Sequence, residues 1–246
     1  MNDARVKQAQ RLQNIPNLPT KESQTPEIIQ FLYDKKDRII QTWMGNRIKA
    51  ERFLTNIITV TNAMPELLKT TKKSFFSAVM AAANLGLMPQ VANECWILPF
   101  YDSKSDTYRA QFIIGYKGYI KMFYRSPLAK LVWFGRVYKG DEVNLRKHVE
   151  NMGGKIEDDS RELLGWYGAY ELNTGGMDFV YMSLEQIEAM RLRSPAKNSP
   201  AWRQDYDAMC IKTVLRHLMK YAPLETEDMA AVERLDGAVK EYDDTV

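Results

Sequence analysis

The chain is short of cysteine, of histidine and of long apolar runs, and each shortage removes a class of protein. Two cysteines in 246 residues, Cys95 and Cys210, both among apolar neighbours, cannot make a disulfide framework and read as reduced core thiols. Two histidines, His148 and His217, neither beside a second ligand at a recognised spacing, leave no donor set for a zinc site. No apolar stretch approaches the ~20 residues that cross a bilayer, and residues 1–13 are polar, without the apolar segment of a signal peptide. The expectation is a cytoplasmic protein with no membrane contact. Phosphate-loop chemistry is missing too: Gly153-Gly154-Lys155 lacks the preceding glycine spacing and a following Ser or Thr. No glutamate is followed two residues on by lysine, the pair that many magnesium-dependent nucleases carry on a strand. No Ser-His-Asp or Cys-His arrangement is suggested by context. These absences argue for a binder without a cofactor rather than a catalyst.

What is present is a basic body with enough apolar residues to bury a full core, 45% of the chain. The net charge is only +3, from 34 bases and 31 acids. Residues 224–246 hold eight of those acids and two of the bases, so the rest carries a net +9. A basic body with an acidic tail suits a polyanionic ligand, the tail being free for self-masking or a protein contact.

Residues 1–24 read as a loose polar arm. Thr25, Pro26 and Glu27 then start a helix that turns Ile28, Ile29, Leu32, Ile39, Ile40 and Trp43 inward. Further helices are predicted over 49–64 and 74–87, the second apolar nearly all round and therefore buried. The pattern changes to alternation over 94–100 and 108–114, a hairpin, and a short helix follows at 119–125. Strands are predicted at 129–138, 163–172 and 177–182. A capping box, Ser183 with Gln186, opens a helix to about Arg193. A last long helix over 202–221 stops before Pro223. This order predicts an α+β fold with an antiparallel sheet.

Two segments combine cations with flat rings. In QFIIGYKGYIKMFYRS at 111–126, Gly115 and Gly118 bracket Tyr116 and Lys117, a spacing that lets backbone approach a ligand. Lys117, Lys121 and Arg125 recur every fourth residue. In DYDAMCIKTVLRHLMKYAP at 205–223, an apolar arc of Ala208, Ile211, Leu215, Leu218, Met219 and Ala222 is flanked by a stripe of Lys212, Arg216 and Lys220. Such stripes can follow successive phosphates, and rings such as Tyr116 can stack on bases. A solvated helix face and core packing are the ordinary uses of the same residues. Lys197 and Arg203, near Arg191 and Arg193, could add cations or only decorate a loop.

Three blocks resemble the RecT family of phage single-strand DNA annealing proteins in order and spacing. AERF at 50–53 with SFFSA at 74–78 and LGLMP at 85–89 is similar to its N-terminal block. WILPF at 96–100 with QFIIGYKGY at 111–119 and YRS at 124–126 is similar to its centre. Trp202, MCIKTVLR at 209–216 and KYAP at 220–223 are similar to its C-terminal block. The resemblance covers roughly 45–225. It implies a curved antiparallel β-sheet backed by helices, with subunits side by side in rings or helical filaments and DNA in a continuous basic groove. It implies ATP-independent annealing of complementary strands in phage recombination, in the bacterial host cytoplasm, and backbone contacts at Lys117, Arg125, Lys212 and Arg216, with Gln111 nearby. A 5′→3′ exonuclease is the implied partner. A contact with host single-strand binding protein is in question, because the tail after Pro223 is short. The domains expected are an arm and helix over 1–44 that carry subunit contacts, an annealing core over 45–223, and an acidic tail over 224–246. Two other classes stand beside this one: a metal-dependent phage nuclease, against which the missing Glu-x-Lys pair counts, and a structural phage protein that binds packaged DNA without annealing it.

Overall fold

Helices form where apolar residues recur at three- and four-residue spacing, and a cap or a proline sets their ends. The structure, a computed structural model, describes residues 26–43, 46–141, 160–194, 196–226, 228–230 and 232–233. The arm, Thr25, His148 and Gly153-Gly154-Lys155 lie outside the described residues. The first predicted helix is two, α1 (Glu27–Asp34) and α2 (Lys36–Thr42), broken at Lys35. Next come α3 (Arg47–Ala63), whose first turn is capped by the Asn46 side chain, and a 3-10 turn (Pro65–Lys69). In α4 (Lys72–Asn84) the Thr71 side chain accepts from the Ser74 N–H.

The hairpin is β1 (Cys95–Asp102) and β2 (Thr107–Ile114), antiparallel with Cys95 opposite Ile114. After it α5 (Tyr116–Phe123) begins three residues earlier than the pattern predicts, on Gly115. Strands β3 (Ala129–Tyr138), β4 (Leu163–Leu172) and β5 (Met177–Ser183) form an antiparallel meander. The capping box at Ser183 and Gln186 is formed and starts α6 (Leu184–Arg193). The last helix is divided: α7 (Pro200–Gln204) ends where Asp205 leaves helical geometry, and α8 (Tyr206–Leu218) follows. The fold is therefore α+β, with open antiparallel sheets backed by helices. The strands fall into two ladders, β1-β2 and β3-β4-β5, instead of one continuous sheet.

Period-two alternation decides which face each strand buries. On β1 and β2, Cys95, Ile97, Phe112 and Ile114 enter the main core with Phe53, Leu67, Phe75 and Val79. Trp166 and Tyr170 of β4 face α8, where Val214, Leu215 and Leu218 are fully buried. Burying each such large side chain is worth ~1.5–3 kcal/mol. Among the described residues no helix is long and apolar enough to cross a membrane.

Both expected domain boundaries run through this core. Ile28, Ile29, Leu32 and Ile39 are at most 5% exposed and pack in the same cluster as Phe53 and Phe75. Their apolar faces are thus spent within the chain, and subunit contacts made by α1 and α2 would have to use their outer faces. At the other end Leu224 and Val232 join the main core as well. Removing residues 1–44 is therefore expected to abolish cooperative unfolding in denaturant. The milder Ile39→Ala should cost ~2–5 kcal/mol, the usual range for a buried aliphatic truncation; a loss under ~1 kcal/mol in urea titrations would show that α2 is peripheral.

Candidate nucleic-acid interface

Helix α5 and the start of α8 pack on each other beside edge strand β3, and an open cleft of about 660 Å³ lies between them. Tyr116, Lys117, Ile120 and Lys121 line it from α5, Phe134 from β3, Asp207, Ala208 and Ile211 from α8, and Glu94 closes one side. The cleft exists because α5 starts so close to the turn before β1. A Cβ on Gly115 would stand 2.0 Å from the Asn93 carbonyl oxygen, and one on Gly118 2.2 Å from that of Glu94. The two glycines therefore serve the chain's own backbone, which corrects the expectation that they admit a ligand. The turn itself is strained: Gln90, Ala92 and Asn93 have φ of 55°, 51° and 59°, the left-handed region that side chains avoid.

Glu94 ties that turn to its surroundings. Its Oε2 accepts from the Met88 N–H at 2.9 Å and from Lys121 Nζ at 2.7 Å, and its backbone oxygen accepts from the Gly115 N–H at 2.9 Å. Lys121 also donates to the Gly86 carbonyl at 3.0 Å. One turn on, Arg125 donates to the Leu85 carbonyl and to Asp228 Oδ1 at 3.2 Å, a carboxylate only 3% exposed. Both cations thus sit at the C-terminal end of α4, where a helix presents unpaired carbonyls and partial negative charge. Their four-residue spacing fits two successive anchor points on that helix end.

The remaining cations are placed differently. Lys117 is exposed at the mouth of the cleft, its Nζ 5.9 Å from the centre of the Tyr116 ring, which packs edge-on against Phe134. Lys212 is half-buried in α8, and neither it nor Lys117 has an acidic partner among the described residues. Burial, and secondarily the charge of Arg216, bring the Lys212 ammonium down to about 8. Arg216 lies in the last turn of α8 and Lys220 just beyond it, both half-buried. Gln111 stands on the hairpin opposite Leu98, away from the main core cluster. Lys197 and Arg203 are exposed on the loop after α6 and on α7, outside the cleft.

Sequence reading missed the far wall of the cleft. Asp207 accepts from Arg136 Nε at 2.8 Å and from the Trp166 indole at 2.6 Å, joining α8 to β3 and β4. The signal was there: Phe134 and Arg136 alternate on one face of β3, and Asp207 follows the helix break. A neighbouring network joins α6 to α8, with Glu188 accepting from Arg191 and from the Tyr206 hydroxyl at 2.6 Å. Arg191 and then Tyr206 hold the Glu188 carboxyl below its ordinary range. The cleft's two acids are thus both paired, and its uncompensated charge is positive.

Comparison with known proteins bears on what such a cleft holds. The RecT family model matches residues 51–245. Protein RecT of Escherichia coli (strain K12) is 32% identical over 196 residues, spanning 77% of this chain and 72% of that protein. Uncharacterized protein YqaK of Bacillus subtilis (strain 168) is 29% identical over 202 residues, 80% of this chain and 68% of its own length.

Two outcomes follow from the pairing and burial alone. Asp228→Ala leaves Arg125 half-buried without its carboxylate and should cost ~3–5 kcal/mol in denaturant unfolding; a change under 1 kcal/mol would mean that the Leu85 carbonyl suffices. For Lys212 the folded ammonium titrates near 8 and the unfolded one near 10.5. The unfolded state therefore binds more protons between those values, and the Lys212 contribution to stability rises with pH across that window. Cys210, pushed up to about 12 by burial, acts oppositely above its ordinary value of 9. The comparison must therefore be wild type against Lys212→Met, with the stability advantage of the variant shrinking from pH 7 to pH 10.

Proposed function

The chain belongs to the RecT family, and on that premise we propose that it holds single-stranded DNA against the α5–α8 cleft and anneals it to a complementary strand. Single-strand annealing in DNA recombination is the general activity of the family. The observation that carries the finer reading is the pair of cations without acidic partners among the described residues, Lys117 in the lining of the cleft and Lys212 next along α8 from the lining residue Ile211. Uncompensated charge in a half-buried setting, as at Lys212, is costly unless a polyanion completes it.

The physics suits annealing. Complementary strands repel through their phosphates, and a basic surface removes that repulsion. Backbone contacts from Lys117, Lys212, Arg216 and Lys220 would leave base edges free to test a partner, so Watson–Crick pairing does the reading and the protein none of it. Lys121 and Arg125 would act one step back, holding α4 against α5. The stripe from Lys212 to Lys220 spans only ~12 Å at ~1.5 Å per residue. Continuous binding therefore asks for neighbouring subunits, as rings or helical filaments, where weak contacts multiply through effective concentration. A 5′→3′ exonuclease that exposes the strands is the partner such an activity calls for, and host single-strand binding protein is a second candidate. The chain itself would act as an annealing protein without a nucleotide cofactor.

Annealing of complementary oligonucleotides should proceed at the same rate with and without ATP; a strict nucleotide requirement would overturn the reading. Lys117→Ala and Lys212→Ala should each weaken single-strand binding alike for all base compositions. Each should also flatten the slope of log K against log salt by up to ~0.7. Unchanged affinity in both folded variants would move the DNA off this cleft.

A further inference from the structure

A second basic cleft, of about 530 Å³, opens between α4 and α1–α2. Its floor is Phe31, Phe76 and Met80, and Arg38, Lys72 and Lys73 stand around it. The two rings meet edge to face at 5.8 Å. Each carries cations: Lys35 and Lys72 lie 5.9 and 6.0 Å from the Phe31 centroid, and Arg38 lies 5.7 Å from that of Phe76. Rings used in this way are pedestals that preorganise charge, and their faces are not open for stacking. Lys72 is ion-paired with Glu27, whose side chain is 83% exposed, while Arg38 and Lys73 have no acidic partner among the described residues. The cleft also receives the N-terminal half of α4, the positive end of its dipole.

We propose that this cleft is a second phosphate-backbone site, which receives the incoming strand during annealing. The inference rests on the annealing reading above. The first cleft touches the C-terminal end of α4 through Lys121, and this one is lined by α4 from Lys72 to Met80, so the two are set along one 13-residue helix. Two strands held in separate clefts are each neutralised by their own cations. Charge over both rings favours phosphate over base as the contact, so the site takes any sequence and leaves pairing to the strands. The exposed Glu27 carboxylate occupies Lys72 until a phosphate replaces it.

The test uses the full-length protein carrying Arg38→Ala with Lys73→Ala, and Lys73→Glu alone. Lys73 is exposed, so that single change should leave thermal unfolding unmoved. A labelled oligonucleotide is bound first, and the complementary oligonucleotide is then added. First-strand affinity within about twofold of wild type, with annealing slowed at least tenfold, is the expected result. The affinity of the double variant's first-strand complex for the incoming strand should also lose up to ~1.4 of its log–log salt slope, twice the single-strand value of ~0.7 per phosphate. Annealing at the wild-type rate in both variants would overturn the site. So would a parallel loss of first-strand binding, which would make the two clefts one path. Faster annealing would overturn it as well, by marking the cleft as a seat for the chain's own acidic tail. If wild-type protein failed to anneal at all, the reading beneath the inference would fall and take the site with it.

Discussion

One carboxylate fixes where α5 lies against the end of α4. Glu94 joins the left-handed turn after α4 to Lys121 of α5, and its backbone oxygen receives the N–H of Gly115, from which α5 starts. Three non-glycine residues of that turn sit in a conformation that costs ~1–2 kcal/mol each, so the turn persists only because its surroundings fix it. Asn56 contributes by donating to the Pro89 carbonyl. With the turn set, α5 can lie only where Gly115 and Gly118 admit it. The cleft between α5 and α8 then has its floor.

That constraint also sorts the cations into two kinds. Lys121 and Arg125 are consumed by carbonyls and carboxylates at the end of α4, and Arg136 by Asp207. Lys117 and Lys212 are left without acids among the described residues, one exposed and one half-buried. A polyanion has most to gain from the second kind. The first kind fixes the geometry in which that gain is realised.

Much of the fold was legible because its signals are local. The capping box at Ser183 and Gln186, the alternation of β2 and the strand at 163–172 all reappear with their boundaries nearly unchanged. The breaks at Lys35 and Asp205 were not legible, since no proline or glycine marks either. The site was half legible. Spacing found Tyr116, Lys117, Lys121 and Lys212 but could not tell a free cation from one already paired, because Glu94 and Asp228 lie 27 and 103 residues from their partners. Glycine next to lysine and tyrosine suggested ligand approach for the same reason: the Asn93 and Glu94 carbonyls that fill the space are distant in sequence.

The change of composition at Pro223 looks like the end of a domain, yet the packing ends later. Leu224, Asp228 and Val232 are each under 8% exposed, so the first turns of the acidic tail are core in all but charge. A clone cut where the acids begin would carry an open apolar seam and a stranded guanidinium. A fusion partner or affinity tag belongs after residue 233, while Glu225 and Glu233 stay exposed on the outside of the packed segment.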